Sequence, residues 1–207
     1  MCCRDLDAMA DPLCYWCEYA GRGEPCRSGG VRDFEQMATA FVSHREATTA
    51  GGAGEDHAWI GDCVGELERE APEAALYFIL LTLDRLKSSE VLAVLAAGPL
   101  ENALSHGGAQ IIDRVEAIAR LSPKFRLLLS GIWGRNRIAK EVWARASAAV
   151  AAGPCFCDDP RTVSHGGHAG RVSEEQLRML IATRAIDDLG GNDAARMLAG
   201  VAEGASA

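Results

Sequence analysis

Between Glu55 and Ala151, apolar residues recur at intervals of three and four, the spacing of one face of a helix. His57–Glu70 carries Trp59, Ile60, Cys63, Val64 and Leu67 on one side and acids on the other. Ala74–Leu83 is apolar nearly all round, which predicts a helix buried on every side at the centre of the domain. Ile111, Ile112, Val115, Ile118 and Ala119 mark a further amphipathic helix ending at Leu121. Phe125, Leu128, Leu129, Ile132 and Trp133 mark another, and Ile138 to about Ala151 the next. Upstream, Val31, Phe34, Met37, Ala38, Phe41 and Val42 form a helical stripe, followed by the glycine-rich linker Thr48–Gly54. Downstream, Ser173 and Gln176 have the spacing of a capping box for a helix through Leu177, Leu180, Ile181 and Leu189. Gly190-Gly191-Asn192 then turns the chain into a last helix with Met197, Leu198 and Val201 inward.

No segment alternates convincingly enough to predict a strand. Pro72, Pro99 and Pro123 each stand where a helix would open, since proline lacks the N–H that the first turn leaves unused. Links of a few residues make successive helices antiparallel neighbours, so the expected fold is all-α, a compact stack of short helical hairpins. The expected divisions are a Cys-rich extension over residues 1–30, helix and linker over 31–54, a helical core over 55–151, a Cys/His loop over 152–172 and a C-terminal helical hairpin over 173–203.

The segment Ala96–Glu101, AAGPLE, reads as a corner between two helices. Gly98 suits the left-handed position that ends one helix, and Pro99 the first position of the next. Glu101 then faces the positive end of the new helix from an exposed first turn. Gly107-Gly108 is expected to stop that short helix, with His106 at its C-terminus.

Charge adds an asymmetry. The 207-residue chain carries a net charge of −8, which argues against a general nucleic-acid or acidic-membrane binder. Glu55–Glu116 holds 12 acids against 4 bases, whereas Arg120–Arg145 holds 7 bases against 1 acid. The two stretches can attract each other across the fold. The basic run, with Trp133 and Trp143 in it, is also the best nucleic-acid footprint in the chain. The opening MCCRDLDAMADPL lacks the pattern of a secretory signal, and no apolar run is long enough to span a bilayer, so a cytoplasmic location is expected.

In that compartment the 8 cysteines would be reduced, favouring metal ligands or buried thiols over disulfides. Cys14 and Cys17 form a C-x₂-C pair that Cys26, with Cys2 or Cys3, would complete to four thiolates around zinc. Cys155, Cys157, His165 and His168 make a second chemically complete zinc set. The plainer readings are a leader with incidental thiols, or a start at Met37, and a loop without metal. Catalysis has little to stand on: no phosphate-binding glycine loop, dinucleotide fingerprint, HExxH or GxSxG occurs. Asp62 and Glu66 at helical spacing, with His57, are the only hydrolase-like candidates.

Five strings together resemble a bacterial domain family of unknown function: AAGPLE, His106-Gly107, Ile112-Asp113-Arg114-Val115-Glu116, Ser122-Pro123-Lys124-Phe125-Arg126 and Gly131-Ile132-Trp133. The likeness covers about Trp59 to Trp143, excludes the Cys-rich ends and implies no established activity. For a compact acidic helical domain without catalytic motifs, the expected function, by analogy, is a helical interaction or regulatory module, antitoxin- or immunity-like, whose partner is another protein. Its candidate binding surface comprises Gly98, Pro99, Glu101, His106, Arg114, Arg126 and Trp133. A zinc-stabilised module presenting a protein or nucleic-acid binding surface is the alternative.

Overall fold

The computed structural model describes residues 25–28, 31–52, 57–151, 153–156, 161–163 and 170–189. It is an all-helical stack, apart from a minimal hairpin that the sequence pattern did not announce. In that hairpin β1 (Arg27–Ser28) pairs antiparallel with β2 (Val31–Arg32), Arg27 opposite Arg32. Strands of two residues are too short to show any period, which is why alternation missed them.

Asp33 ends the hairpin and caps α1 (Phe34–Thr49), its side chain accepting the Gln36 N–H at 2.9 Å. Next come α2 (Trp59–Glu70), α3 (Pro72–Arg85) and α4 (Ser89–Leu95). Buried residues occupy α3 almost all round, from Pro72 and Ala74 to Leu83, as its composition requires. α1, α2, the long helix Glu101–Leu121 and the short helix Ala185–Asp188 pack around it. Phe41 of α1 meets Phe78 of α3 edge to face at 5.7 Å. Pro72 and Pro123 open α3 and α6 (Pro123–Leu129) as expected, and Ser122 caps α6 by accepting the Phe125 N–H.

Pro99 does something else. The expected corner at Ala96–Glu101 is absent: the chain runs helically from Ser89 through a π-turn, Ala96–Leu100, into α5 (Glu101–Leu121). Proline cannot donate, and its ring collides with the carbonyl four residues back. Widening the turn to five residues accommodates it, and the Glu101 N–H reaches back to the Ala96 carbonyl. Gly98 has no positive φ, and a Cβ there would meet nothing within 4 Å. Its expected left-handed cap is therefore overturned.

Gly107-Gly108 does not stop the helix either. α5 bends at Gly107 (φ −126°, ψ 20°) and continues. The pair is there for contact: a Cβ on Gly107 would overlap the Pro72 ring, and one on Gly108 would sit 2.8 Å from Val142 Cγ1. α3 and α7 (Lys140–Val150) thus press onto one spot of α5, closer than any side chain allows.

The C-terminal run breaks into α8 (Glu174–Ala182) and α9 (Ala185–Asp188). Lys124, fully buried, donates to the carbonyls of Ile181 (2.9 Å) and Thr183 (2.7 Å) at the end of α8. Asp84 accepts the Ala185 and Ile186 N–H groups at the start of α9, and the Ser122 hydroxyl donates to Asp188. Two side chains thus satisfy two helix ends, the partners that unpaired termini require. Burial pulls the Lys124 ammonium pKa down, against the attraction of Asp84 and Asp188, and pushes the Asp84 carboxyl up, against the hydrogen bonds from the Ala185 and Ile186 N–H groups and the nearby cations. No described helix is long and apolar enough to cross a membrane.

Candidate functional site

The π-turn delivers Glu101 into the fold instead of onto its surface. Its side chain is only 4% exposed. One carboxylate oxygen accepts the backbone N–H of Trp133 at 2.8 Å, and the other pairs with the Arg137 guanidinium. Both partners belong to the connection between α6 (Pro123–Leu129) and α7. That connection coils tightly: the Arg135 N–H bonds to the Trp133 carbonyl at 2.7 Å, and the Arg137 and Ile138 N–H groups bond to the Gly134 carbonyl at 2.8 Å. Gly134 is required here, because its Cβ would sit 2.9 Å from Glu101 Cγ.

Asn102 extends the network. Its amide donates to Glu68 of α2 at 2.9 Å, its side-chain oxygen accepts from Arg137 at 3.3 Å, and its carbonyl lies 2.8 Å from His106 Nδ1. Glu68 is buried, and loss of hydration pushes its carboxyl up to about 7, against the opposing pull of Asn102 and Arg69. Hydrogen bonds thus run without a gap from α2 through α5 to the loop bearing Trp133. The Trp133 residue is 41% exposed, and the Arg161 guanidinium lies 4.1 Å from its ring centroid. The chain beside Arg161 is fixed to the same loop, the Val163 N–H bonding to the Ile132 carbonyl at 3.0 Å.

Of the expected surface residues, Glu101, His106 and Trp133 gather here, with Glu101 buried rather than exposed. Pro99 is buried in the π-turn beside them and Gly98 half-buried. Arg114 does not join them: it lies about 20 Å along α5 from Glu101, at the helical rise per residue, and pairs with Glu73 at 3.2 Å. Arg126 is turned away too, donating to the Ala119 carbonyl at 3.2 Å and lying against Gly153.

Glu68, Asn102 and Arg161 were not among the residues expected at a site, and Arg137 figured only in the basic run. For Glu68 a signal existed. Ile60, Val64 and Glu68 are spaced by four, which places the carboxylate on the apolar stripe of α2 rather than with Asp62 and Glu66.

The basic run is largely consumed by the fold. Arg145 bonds to Glu116 and Asp113, Arg137 to Glu101, Lys124 to two carbonyls and Arg126 to a third. Attraction between the two oppositely charged stretches of the chain accounts for Arg137 and Arg145.

His57 lines a groove of about 470 Å³ with Asp33, Glu35, Gln36, Thr39 and Trp59, and neither Asp62 nor Glu66 is in its wall. Of the metal candidates, Cys14, Cys17, Cys157, His165 and His168 lie outside the described residues. Cys26 is buried beside the hairpin and Cys155 in a parallel bridge with Arg171. Among the described residues no three His, Cys, Asp or Glu side chains are grouped to hold a metal ion.

A family model described as a family of unknown function (DUF6869) matches residues 47–153. The span includes Glu68, Glu101, Asn102, Trp133 and Arg137 and leaves out Arg161. Comparison with curated proteins and with solved structures gave no match.

Proposed function

This chain belongs to that family of unknown function, and from this premise we propose that it is a bacterial, cytoplasmic regulatory module, antitoxin- or immunity-like, that works by docking another protein. The observation that carries the reading is the mounting of Trp133. A large aromatic side chain stands exposed on a loop whose backbone is pinned by a buried carboxylate. Trp and Arg are the residue types that dominate the energy of protein interfaces. An aromatic ring already held in place loses little freedom when a partner covers it. Catalysis is served less well: Glu68 and Glu101 are both buried, and their carboxylates are bonded to neighbouring helices and loops.

The mounting also makes the test clean. Glu101 holds Trp133 by its main-chain N–H, so Trp133→Ala removes the exposed ring and leaves the brace intact. A photo-crosslinking residue at exposed Asn136 should capture one protein from the native host, and Trp133→Ala should abolish that capture while the protein still unfolds in one cooperative transition. The control position is Glu90, exposed on α4. Equal capture from both positions, unaffected by Trp133→Ala, would refute the docking role.

A further inference from the structure

Resting on that docking role, we infer that the partner presents an acidic polypeptide segment to the Trp133 face. Residues 131–140 contain Arg135, Arg137 and Lys140 and no acid, and all three cations are exposed. The tight coil of this loop keeps them within a few residues of the ring. Glu101 neutralises part of this charge from beneath, but its carboxylate is buried, while the Arg137 side chain remains 57% exposed. Glu141 is the exposed acid next along the chain. The loop that carries Trp133 therefore presents a short cluster of exposed cations together with an exposed aromatic ring.

The compactness decides the class of partner. A nucleic acid is a long string of phosphates, and its binding grows with the number of cations that follow its backbone. Here the basic run does not continue as a track, because Lys124 and Arg126 are taken up by backbone carbonyls and Arg145 by the carboxylates of Glu116 and Asp113. A chain of net charge −8 would also repel an extended polyanion beyond the patch. A short run of Asp or Glu meets the three loop cations and ends before the acidic remainder begins.

The test uses the full chain and three labelled probes: a dodecamer of glutamate, a dodecamer of lysine and a twelve-nucleotide thymidine single strand. Fluorescence anisotropy should show the glutamate peptide binding at 50 mM salt, weakening at least tenfold at 200 mM and at least tenfold in the Arg135→Glu/Lys140→Glu variant. That variant should melt at the native temperature, since both side chains are exposed. Absence of glutamate-peptide binding, equal binding to the charge-reversed variant, or tighter binding of the lysine peptide or the oligonucleotide overturns the inference. The two proposals fail separately. Capture from Asn136 that survives charge reversal but not Trp133→Ala keeps the docking role and removes the acidic partner, whereas capture that survives Trp133→Ala removes the docking role itself.

Discussion

Replacing Glu68 with glutamine should make the protein more stable at neutral and alkaline pH than at acid pH, relative to the native chain. The carboxyl titrates near 7 in the folded protein and at 4.5 when solvated. Because the folded-state value is the higher one, the unfolded chain loses its proton first. Native stability therefore falls as pH rises from about 4.5 to 7, and is flat above. At 1.36 kcal/mol per unit, the native chain should lose about 2.5 kcal/mol between pH 5 and 8 from this group. The glutamine side chain does not titrate, and its amide oxygen still accepts from Asn102. Any cost of seating the new NH₂ group is constant with pH and cancels in the comparison. Urea unfolding of the native protein and the Glu68→Gln variant at pH 5, 6, 7 and 8 measures the difference directly. Two curves that stay parallel within about 0.5 kcal/mol would show that Glu68 is hydrated, and the buried network from α2 to the Trp133 loop would have to be abandoned.

Other substitutions separate the glycines by role. Gly98→Ala should raise stability by up to about 1 kcal/mol in thermal or urea unfolding, since its backbone is ordinary and its Cβ has room. Gly108→Ala should lower it by about 1–3 kcal/mol, with much of the loss recovered in the Gly108→Ala/Val142→Ala double variant, a coupling that only direct contact explains. Lys124→Met strips the partner from the Ile181 and Thr183 carbonyls, so amide exchange should accelerate in residues 181–189 well before the core opens. Glu101→Ala leaves the Trp133 N–H and Arg137 without their acceptor and should cost about 2–4 kcal/mol, read as a lowered unfolding midpoint, while Glu101→Gln, which retains one acceptor, should cost less.

Much of the fold was legible because it rests on patterns that repeat. α3 is apolar on every side, so no packing other than a central one hides it, and the Ser122-Pro123 pair states the start of α6 in two residues. The glycines were legible only as breakers. A sequence shows that Gly107-Gly108 lacks side chains, and not that Pro72 and Val142 need the space. That information sits 35 residues upstream of Gly107 in Pro72 and 34 downstream of Gly108 in Val142, in helices whose approach is itself set by the glycines.

The site failed to appear in the sequence for a related reason, visible at Glu101. Read as the first turn of a new helix, the residue points outward and its partner is a dipole. A five-residue turn at Ala96–Leu100 inserts one residue into the helical count, so every later side chain is rotated by about 100° from where α4 would have placed it. That rotation is what Pro99 imposes, and it brings the carboxylate of Glu101 toward the loop of Trp133. Yet turning a charge inward would be prohibitive on its own. It is tolerated because the loop supplies the Trp133 N–H and the Arg137 guanidinium, and because Gly134 leaves the volume the side chain fills. Each of these residues reads as ordinary alone. Pro99 sets the phase, Gly134 the room and Arg137 the charge, and together they convert a residue that looks like surface into the anchor of the one exposed tryptophan ring among the described residues.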